Sequence, residues 1–338
     1  MKNPARIRTG LVAALWMFMG THVMGQGSLT PPGAPGETMH TLEEVYERTD
    51  PRTPISSLPY TINESGSYYV VSNLHSTTHG IVIETSGVSV DLMGFSLTGD
   101  GTSSYPDNDY GIYVDGSTNA VIDRVVIKGG SISGFYYGLY CEYMNNSRIE
   151  QMVVSGNNSS GVYLNGRHGQ CDGNTIADCT ISGNDSYGVV LSGGSGQCDG
   201  NTIADCTISG NVSVGVYLDQ CDGNTIADCT ISGNDSYGVY LDQCDGNTIR
   251  ENTISKNTTK GIRLYHADGN RVEANNVWGT TGGEYGIQTT TGASNFILKN
   301  TCMGNGTNYE LDPDDTAGPI VSASGYLSGT DPWANFSR

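Results

Sequence analysis

The chain is short of basic residues. Sixteen Lys and Arg stand against 35 Asp and Glu, for a formal net charge of −19. Such acidity argues against a nucleic-acid partner, whose phosphates repel carboxylates, and against adhesion to anionic lipid. It leaves divalent cations, neutral glycans and basic proteins as partners. Phenylalanine and tryptophan number five and three. Past the first 25 residues no apolar run is long enough to cross a bilayer, so the body is read as not transmembrane. In the repeated region leucine is scarce, and no segment is free enough of Gly and Asn to be a helix.

The first 25 residues differ in character. Lys2, Arg6 and Arg8 precede an apolar run at 11–19, and Val23, Met24 and Gly25 follow. This reads as a secretory signal peptide, residues 1–25, cleaved near Gly25. Its loss takes away three bases and no acid. The mature chain is then secreted, whether periplasmic, surface-bound or released. Residues 26–79 read as an N-terminal linker and cap. They are proline-rich at 30–36, and Thr41 and Glu44 stand in capping-box spacing, which predicts a short helix over the first coil.

Glycine is abundant, at 47 residues, and so is repetition. The segment CDGNTIADCTISGN occurs unchanged at 171–184, 198–211 and 221–234. The tripeptide DGN begins at Asp172, Asp199, Asp222, Asp245 and Asp268, with spacings of 27, 23, 23 and 23. The longer spacing arises because SGGSGQ at 192–197 stands where DQ stands at 219–220. Weaker copies extend upstream to Gly80 and downstream to Asn305. Within a repeat the apolar residues are β-branched, alternate with period two and are closed by Gly, Asn or Asp, so they mark short strands. Twenty-three extended residues cover about 76 Å; bent at three turns, they close one coil, and successive coils pair in parallel ~4.8 Å apart. The predicted fold is all-β, a right-handed parallel β-helix of roughly ten coils over residues 80–306. Residues 307–338, with Pro319, Trp333 and Phe336, read as an irregular C-terminal cap. A leucine-rich repeat, the competing solenoid of this period, needs an L-x-x-L-x-L frame.

Coil closure aligns equivalent residues in columns. Ile176, Ile203, Ile226, Ile249, Val272 and Ile297 form one interior column. Ile181, Ile208, Ile231, Ile254 and Val277 form a second, and Val189, Val216, Val239, Ile262 and Ile287 a third. Asn174, Asn201, Asn224, Asn247, Asn270 and Asn295 predict an Asn ladder at a tight turn, where Asn tolerates the left-handed conformation. Gly161, Gly188, Gly215, Gly238, Gly261 and Gly286 mark another turn, read as requiring positive φ.

The repeat N-x-I-x-x-[NC]-x-I-x-x-N…G-[VI]-x-L runs from about Gly111 to Asn305. With these columns the chain resembles the secreted right-handed parallel β-helix proteins of the pectin-lyase-like superfamily. These include pectate lyases, polygalacturonases, alginate epimerases, NosD-like periplasmic proteins and other carbohydrate-binding or sugar-hydrolase repeats. The leader, the element at 50–54 and the tail at 332–336 resemble bacterial β-helix proteins as well. The resemblance implies a fold and leaves the reaction open, because one fold hosts many functions. The Gly-His-Gly, Arg-Ile-Lys and Asp-Pro-His elements of its enzymes are absent from this sequence.

Candidate chemistry follows from the outward columns. In G-V-Y-L the Val and Leu point in and the Tyr points out. Tyr113, Tyr140, Tyr163, Tyr217 and Tyr240 fall in one column, and Tyr187 and Tyr237 in the one beside it. Their repeat at ~4.8 Å approximates the rise per sugar of an extended polysaccharide, and tyrosine offers a ring face and a hydroxyl. Aromatics also favour strands and stack on one another without any ligand. Asp172, Asp199, Asp222 and Asp245 form an acidic column. Ca²⁺ accepts such oxygen clusters, though Asp-Gly is also an ordinary turn; no cofactor beyond Ca²⁺ is implied. Cys179, Cys206 and Cys229 replace Asn at an inward position, and Cys171, Cys198, Cys221 and Cys244 form a second column. Buried thiols, bridges between coils and a soft metal are the three readings. Arg263, His266 and Asp268 lie close in sequence with Arg250 about one coil away, the one place where acid, imidazole and guanidinium could converge.

Identical coils supply the same groups three times over, whereas catalysis needs one asymmetric constellation. The expectation is therefore a secreted, non-catalytic β-helix that binds or scaffolds extended polysaccharide. A polysaccharide lyase, hydrolase or epimerase and a purely structural surface protein are the alternatives. Nothing in the composition selects an oligomeric state.

Overall fold

Ile176 lies in parallel register with Ile203, and the column continues through Ile226, Ile249, Val272 and Ile297. These pairings come from a computed structural model that describes residues 51–102, 108–116, 120–280, 282, 284–322 and 331–338. The second column runs Ile181, Ile208, Ile231, Ile254 and Val277, and the third Val189, Val216, Val239, Ile262 and Ile287. The chain is thus a right-handed parallel β-helix. One face is an eleven-stranded sheet, so the helix has about eleven coils, and the other two faces join in a 22-stranded sheet. Among the described residues there is no helix. The predicted capping helix at 41–44 and the leader lie outside the described residues.

One coil shows why the repeat closes. Strand Thr202–Ala204 is followed by Asp205 at φ 54°, strand Thr207–Ser209 by Gly210 at φ 63°, and strand Val216–Asp219 by Gln220 at φ 56°. Gly223, at φ 64°, precedes the next coil. Left-handed residues therefore turn the chain at each corner, and short side chains or glycine take most of those places. Ile203, Ile208, Val216 and Leu218 point inward and are at most 1% exposed. Each contributes roughly 1.5–3 kcal/mol of hydrophobic stabilisation.

Inward turns leave buried backbone donors, which asparagine satisfies. Asn174 Nδ2 donates to Asn201 Oδ1 at 3.0 Å, and Asn224, Asn247 and Asn270 each donate to the next Asn at 3.0–3.1 Å. A second ladder, not anticipated, joins Asn157, Asn184, Asn211, Asn234 and Asn257 at 2.9 Å per rung. The cysteine column passes into a third. Asn252 Oδ1 accepts the Cys229 N–H at 2.9 Å, and Asn275, Asn300 and Asn335 follow.

Two details differ from expectation. The ladder asparagines are not left-handed; the residue before each takes that conformation, a glycine such as Gly200 at φ 63° in five of the six and Ser294 at φ 61° before Asn295. Nor does the row Gly161, Gly188, Gly215, Gly238, Gly261, Gly286 have positive φ. Space selects glycine there. A Cβ on Gly188 would lie 2.5 Å from the Gly215 carbonyl oxygen, 2.6 Å from Ile208 Cγ2 and 2.9 Å from Asn211 Nδ2. The row is confined between the next coil and the second asparagine ladder.

Parallel pairing extends past both ends of the predicted 80–306 span. Thr53–Ile55 pairs with Tyr68–Val70, and Gly66–Tyr69 with Val88–Asp91. At the other end, Thr307–Glu310, Thr316–Ala317 and Asn335–Ser337 still pair in register with the preceding coil. The C-terminal segment is thus partly a continuation of the helix. Asn335, whose side chain completes the third asparagine ladder, is fully buried.

Candidate functional site

Strand Val216–Asp219 sets the pattern of the outward face. Val216 and Leu218 are buried, so Tyr217 and Asp219 face outward. In register with Tyr217 stand Tyr113, Tyr140, Tyr163, Val190, Tyr240, Arg263 and Gln288. Two residues on, a second outward column reads Asp115, Glu142, Asn165, Ser192, Asp219, Asp242, Tyr265 and Thr290. Period-two alternation in Y-x-[DE] carries that acidic column as well, and sequence reading passed over it.

Some rings turn their faces to one another, and others, such as Tyr113 with Tyr140 and Tyr137 with Tyr163, meet tilted or edge-on. Tyr187 and Tyr217 stack at 5.4 Å and 22°, and Tyr217 and Tyr240 at 5.2 Å and 18°. Upstream, Tyr110 stacks on Tyr140 at 5.0 Å, with His79 stacked on Tyr110 at the same distance. Val190 separates the two groups. What faces outward is therefore mostly ring edge and hydroxyl. Those hydroxyls meet the acidic column: the Tyr113 hydroxyl, with one proton to share, lies 2.9 Å from Asp115 and 2.8 Å from Glu142, and Tyr240 donates to Asp242 at 3.0 Å. Asn165 Nδ2 donates to the Tyr140 hydroxyl at 2.8 Å.

Burial, followed by these carboxylates, holds the Tyr113, Tyr217 and Tyr240 phenols well above the usual tyrosine range. Burial first, then the Glu142 charge, does the same for Tyr140, and burial pushes Tyr137 up to about 12. The phenols are thus neutral donors, poorly suited to act as bases.

At the C-terminal end of the row the chemistry changes. Arg263 Nη1 donates to the Tyr237 hydroxyl at 3.0 Å, and the guanidinium lies over the Tyr237, Tyr240 and Tyr265 rings at 5.0–5.6 Å. Lys260, 7% exposed, pairs with Glu284 at 2.9 Å. His266 is exposed and its ring lies 4.0 Å from that of Tyr265. Asp268 accepts the Ala293 N–H at 2.6 Å. Arg250 belongs to a different face: it closes strand Thr248–Arg250, pairs in register with Glu273, and contacts Asp228 and Glu251. The structure joins Arg263 to the tyrosines and leaves Arg250 apart.

The acidic column of the Asp-Gly turns forms a ladder of its own. The N–H groups of Asp199, Asp222 and Asp245 donate to Asp172, Asp199 and Asp222 of the preceding coil at 2.7–2.8 Å. All nine cysteines are free and buried. Among the described residues no three His, Cys, Asp or Glu side chains come together as a set that could hold a metal ion.

A family model described as "Periplasmic copper-binding protein (NosD)" matches residues 45–197 and 195–317. The chain belongs to the NosD family. No curated protein sequence matches this NosD-family chain. Among solved structures it is similar to the Dettilon tailspike protein gp208, at 15% identity and a TM-score of 0.58, over 84% of this chain and 60% of that one. It is similar also to the A-module of the Azotobacter vinelandii mannuronan C-5 epimerase AlgE6, at 17% identity and a TM-score of 0.54, over 82% and 83%. A third is the alginate lyase of Paenibacillus sp. str. FPU-7, at 12% identity and a TM-score of 0.52, over 75% and 94%. The NosD-family chain thus spans 60% of the tailspike's length. At such identities the likeness is one of fold. Among the described residues no helix is long and apolar enough to cross a membrane.

Proposed function

We propose that this chain is a β-helix that binds an extended polysaccharide along the tyrosine–carboxylate face and does not cleave it. The observation that carries the reading is the register of two outward columns, tyrosines beside carboxylates, over successive coils. Their rise of ~4.8 Å per coil approximates the repeat of an extended glycan. Hydroxyl-rich sugars suit a rail of acceptors and phenolic donors. In this reading the leader is removed near Gly25 and the protein works outside the cytoplasm.

Binding without cleavage is favoured because the phenols stay protonated and the groups recur from coil to coil. A lyase, hydrolase or epimerase reading rests on the cluster of Arg263, Tyr237, Tyr265 and His266, where a cation, phenols and an imidazole meet. Copper, named in the family description, has no converging set of His, Cys, Asp or Glu among the described residues, so no step is routed through it.

The test is incubation of the purified mature protein with a panel of neutral and acidic polysaccharides, with and without Ca²⁺. Retention and new chain ends are followed together. Retention without new ends supports the proposal. New reducing or unsaturated ends transfer it to the catalytic reading, and no retention on any member removes it.

A further inference from the structure

The tyrosine face has a sign and an end. Beside the tyrosines stand Asp115, Glu142, Asp219 and Asp242, four carboxylates in one straight column. Neighbouring rungs are ~4.8 Å apart, less than the ~10 Å over which 0.1 M salt screens a charge. Asn165 and Ser192 separate the carboxylates into two adjacent pairs, Asp115 with Glu142 and Asp219 with Asp242, and a uronate laid along either pair would meet its like charge on both coils. A sugar hydroxyl would instead donate to the same oxygens.

The row ends in groups with unused hydrogen-bonding capacity. Tyr240, Arg263 and Gln288 are consecutive rungs of one column, and Asp242 stands beside them. Among the described residues Asp242 Oδ1, Arg263 Nε and Gln288 Oε1 have no partner, while Asp242 Oδ2, Arg263 Nη1 and Gln288 Nε2 are engaged with Tyr240, Tyr237 and Glu310. Gln288 is 9% exposed, so its free oxygen is a buried acceptor on an outward-facing rung. Buried polar atoms are rarely left unpaired, and one donor between two acceptors matches vicinal sugar hydroxyls, which both give and accept. All three atoms are shielded from solvent, so a ligand engages them only with rotation of these side chains.

We propose, building on the polysaccharide-binding reading above, that the ligand is an uncharged, hydroxyl-rich chain and that Asp242, Arg263 and Gln288 form the subsite that fixes one end of it. The face thereby rejects polyuronates unless a divalent cation bridges them.

The experiment is calorimetric or affinity-electrophoretic titration of the mature protein at low salt with chelator present. Its probes are two neutral polysaccharides, a galactomannan and a mixed-linkage glucan, and two acidic ones, polygalacturonate and alginate. At least one neutral chain is expected to bind tenfold or more tighter than both polyuronates. Arg263→Met and Gln288→Leu are each expected to weaken that binding about tenfold with the melting temperature retained. Asp242→Asn, which keeps the side-chain size, serves where either variant melts early. Polyuronates binding as tightly as the neutral chains in chelator would overturn the ligand class while leaving polysaccharide binding intact. Variants within twofold of the parent would overturn the subsite. Binding of none of the four would bring down the polysaccharide reading itself.

Discussion

The carboxylate of Asp222 accepts the backbone N–H of Asp245 on the next coil at 2.7 Å, while the N–H of Asp222 itself donates to Asp199 at 2.8 Å. Each aspartate of the column is thus a backbone cap for its neighbour. Such a contact, charge-assisted but solvent-exposed, is worth about 1–2 kcal/mol. Asp222→Ala is expected to lower stability by about that amount, whereas Asp222→Asn keeps the acceptor oxygen and stays within about 0.5 kcal/mol of the parent. Urea denaturation of both variants measures this. If the Asn variant loses as much as the Ala variant, and only when Ca²⁺ is present, the column is a cation site instead.

Two glycines separate steric from conformational selection. Gly188 has an ordinary φ but no room, with the Gly215 carbonyl oxygen 2.5 Å from where a Cβ would stand. Gly183 has φ +60° and nothing within 4 Å of that point. Gly183→Ala is expected to cost about 1–2 kcal/mol, the penalty of a left-handed alanine. Gly188→Ala forces a backbone shift between coils and is expected to cost at least about 3 kcal/mol. Equal losses would show that the glycine row is not confined as described.

Alkaline pH should weaken the fold. Burial raises the phenols of Tyr113, Tyr140, Tyr217 and Tyr240 above 10.0, the ordinary value, and pushes Tyr137 up to about 12. A group raised in the folded state contributes stability in full below its unfolded value and loses it as pH rises past that point. The melting temperature is expected to hold up to about pH 9 and to fall above about pH 10. Native tyrosinate absorbance should lag that of the unfolded chain. Superimposable titrations of the two forms would refute the burial of this face.

The cysteine columns should be chemically silent. Burial pushes the Cys302 thiol up to about 12 and raises Cys141, Cys198 and Cys244, while a hydrogen bond with Cys206 lowers Cys229, which is 1% exposed. Thiolate is the reactive form, so alkylation at neutral pH is expected only after unfolding, when all nine thiols are counted. A count below nine in denaturant without reductant would mean bridges between coils. Rapid native labelling would mean that the columns open.

Much of this was legible in the chain itself. The 23-residue period and the β-branched residues at alternating positions determine the coil, its three interior columns and the outward place of Tyr217 and Tyr240, because a strand's side chains alternate sides and identical coils pair in register. The acidic column beside the tyrosines is carried by the same alternation. Tertiary structure alone decided the rest. Glycine at 188 answers to the carbonyl of the coil above, a distance no single coil contains. Tyr217 and Tyr240 stack because two coils set their separation. Arg250 and Arg263, 13 residues apart, lie on different faces because the corner between them turns the chain. Composition and period dictate what one coil is; how closely the coils stack, and which side chains then meet, depends on the space between them.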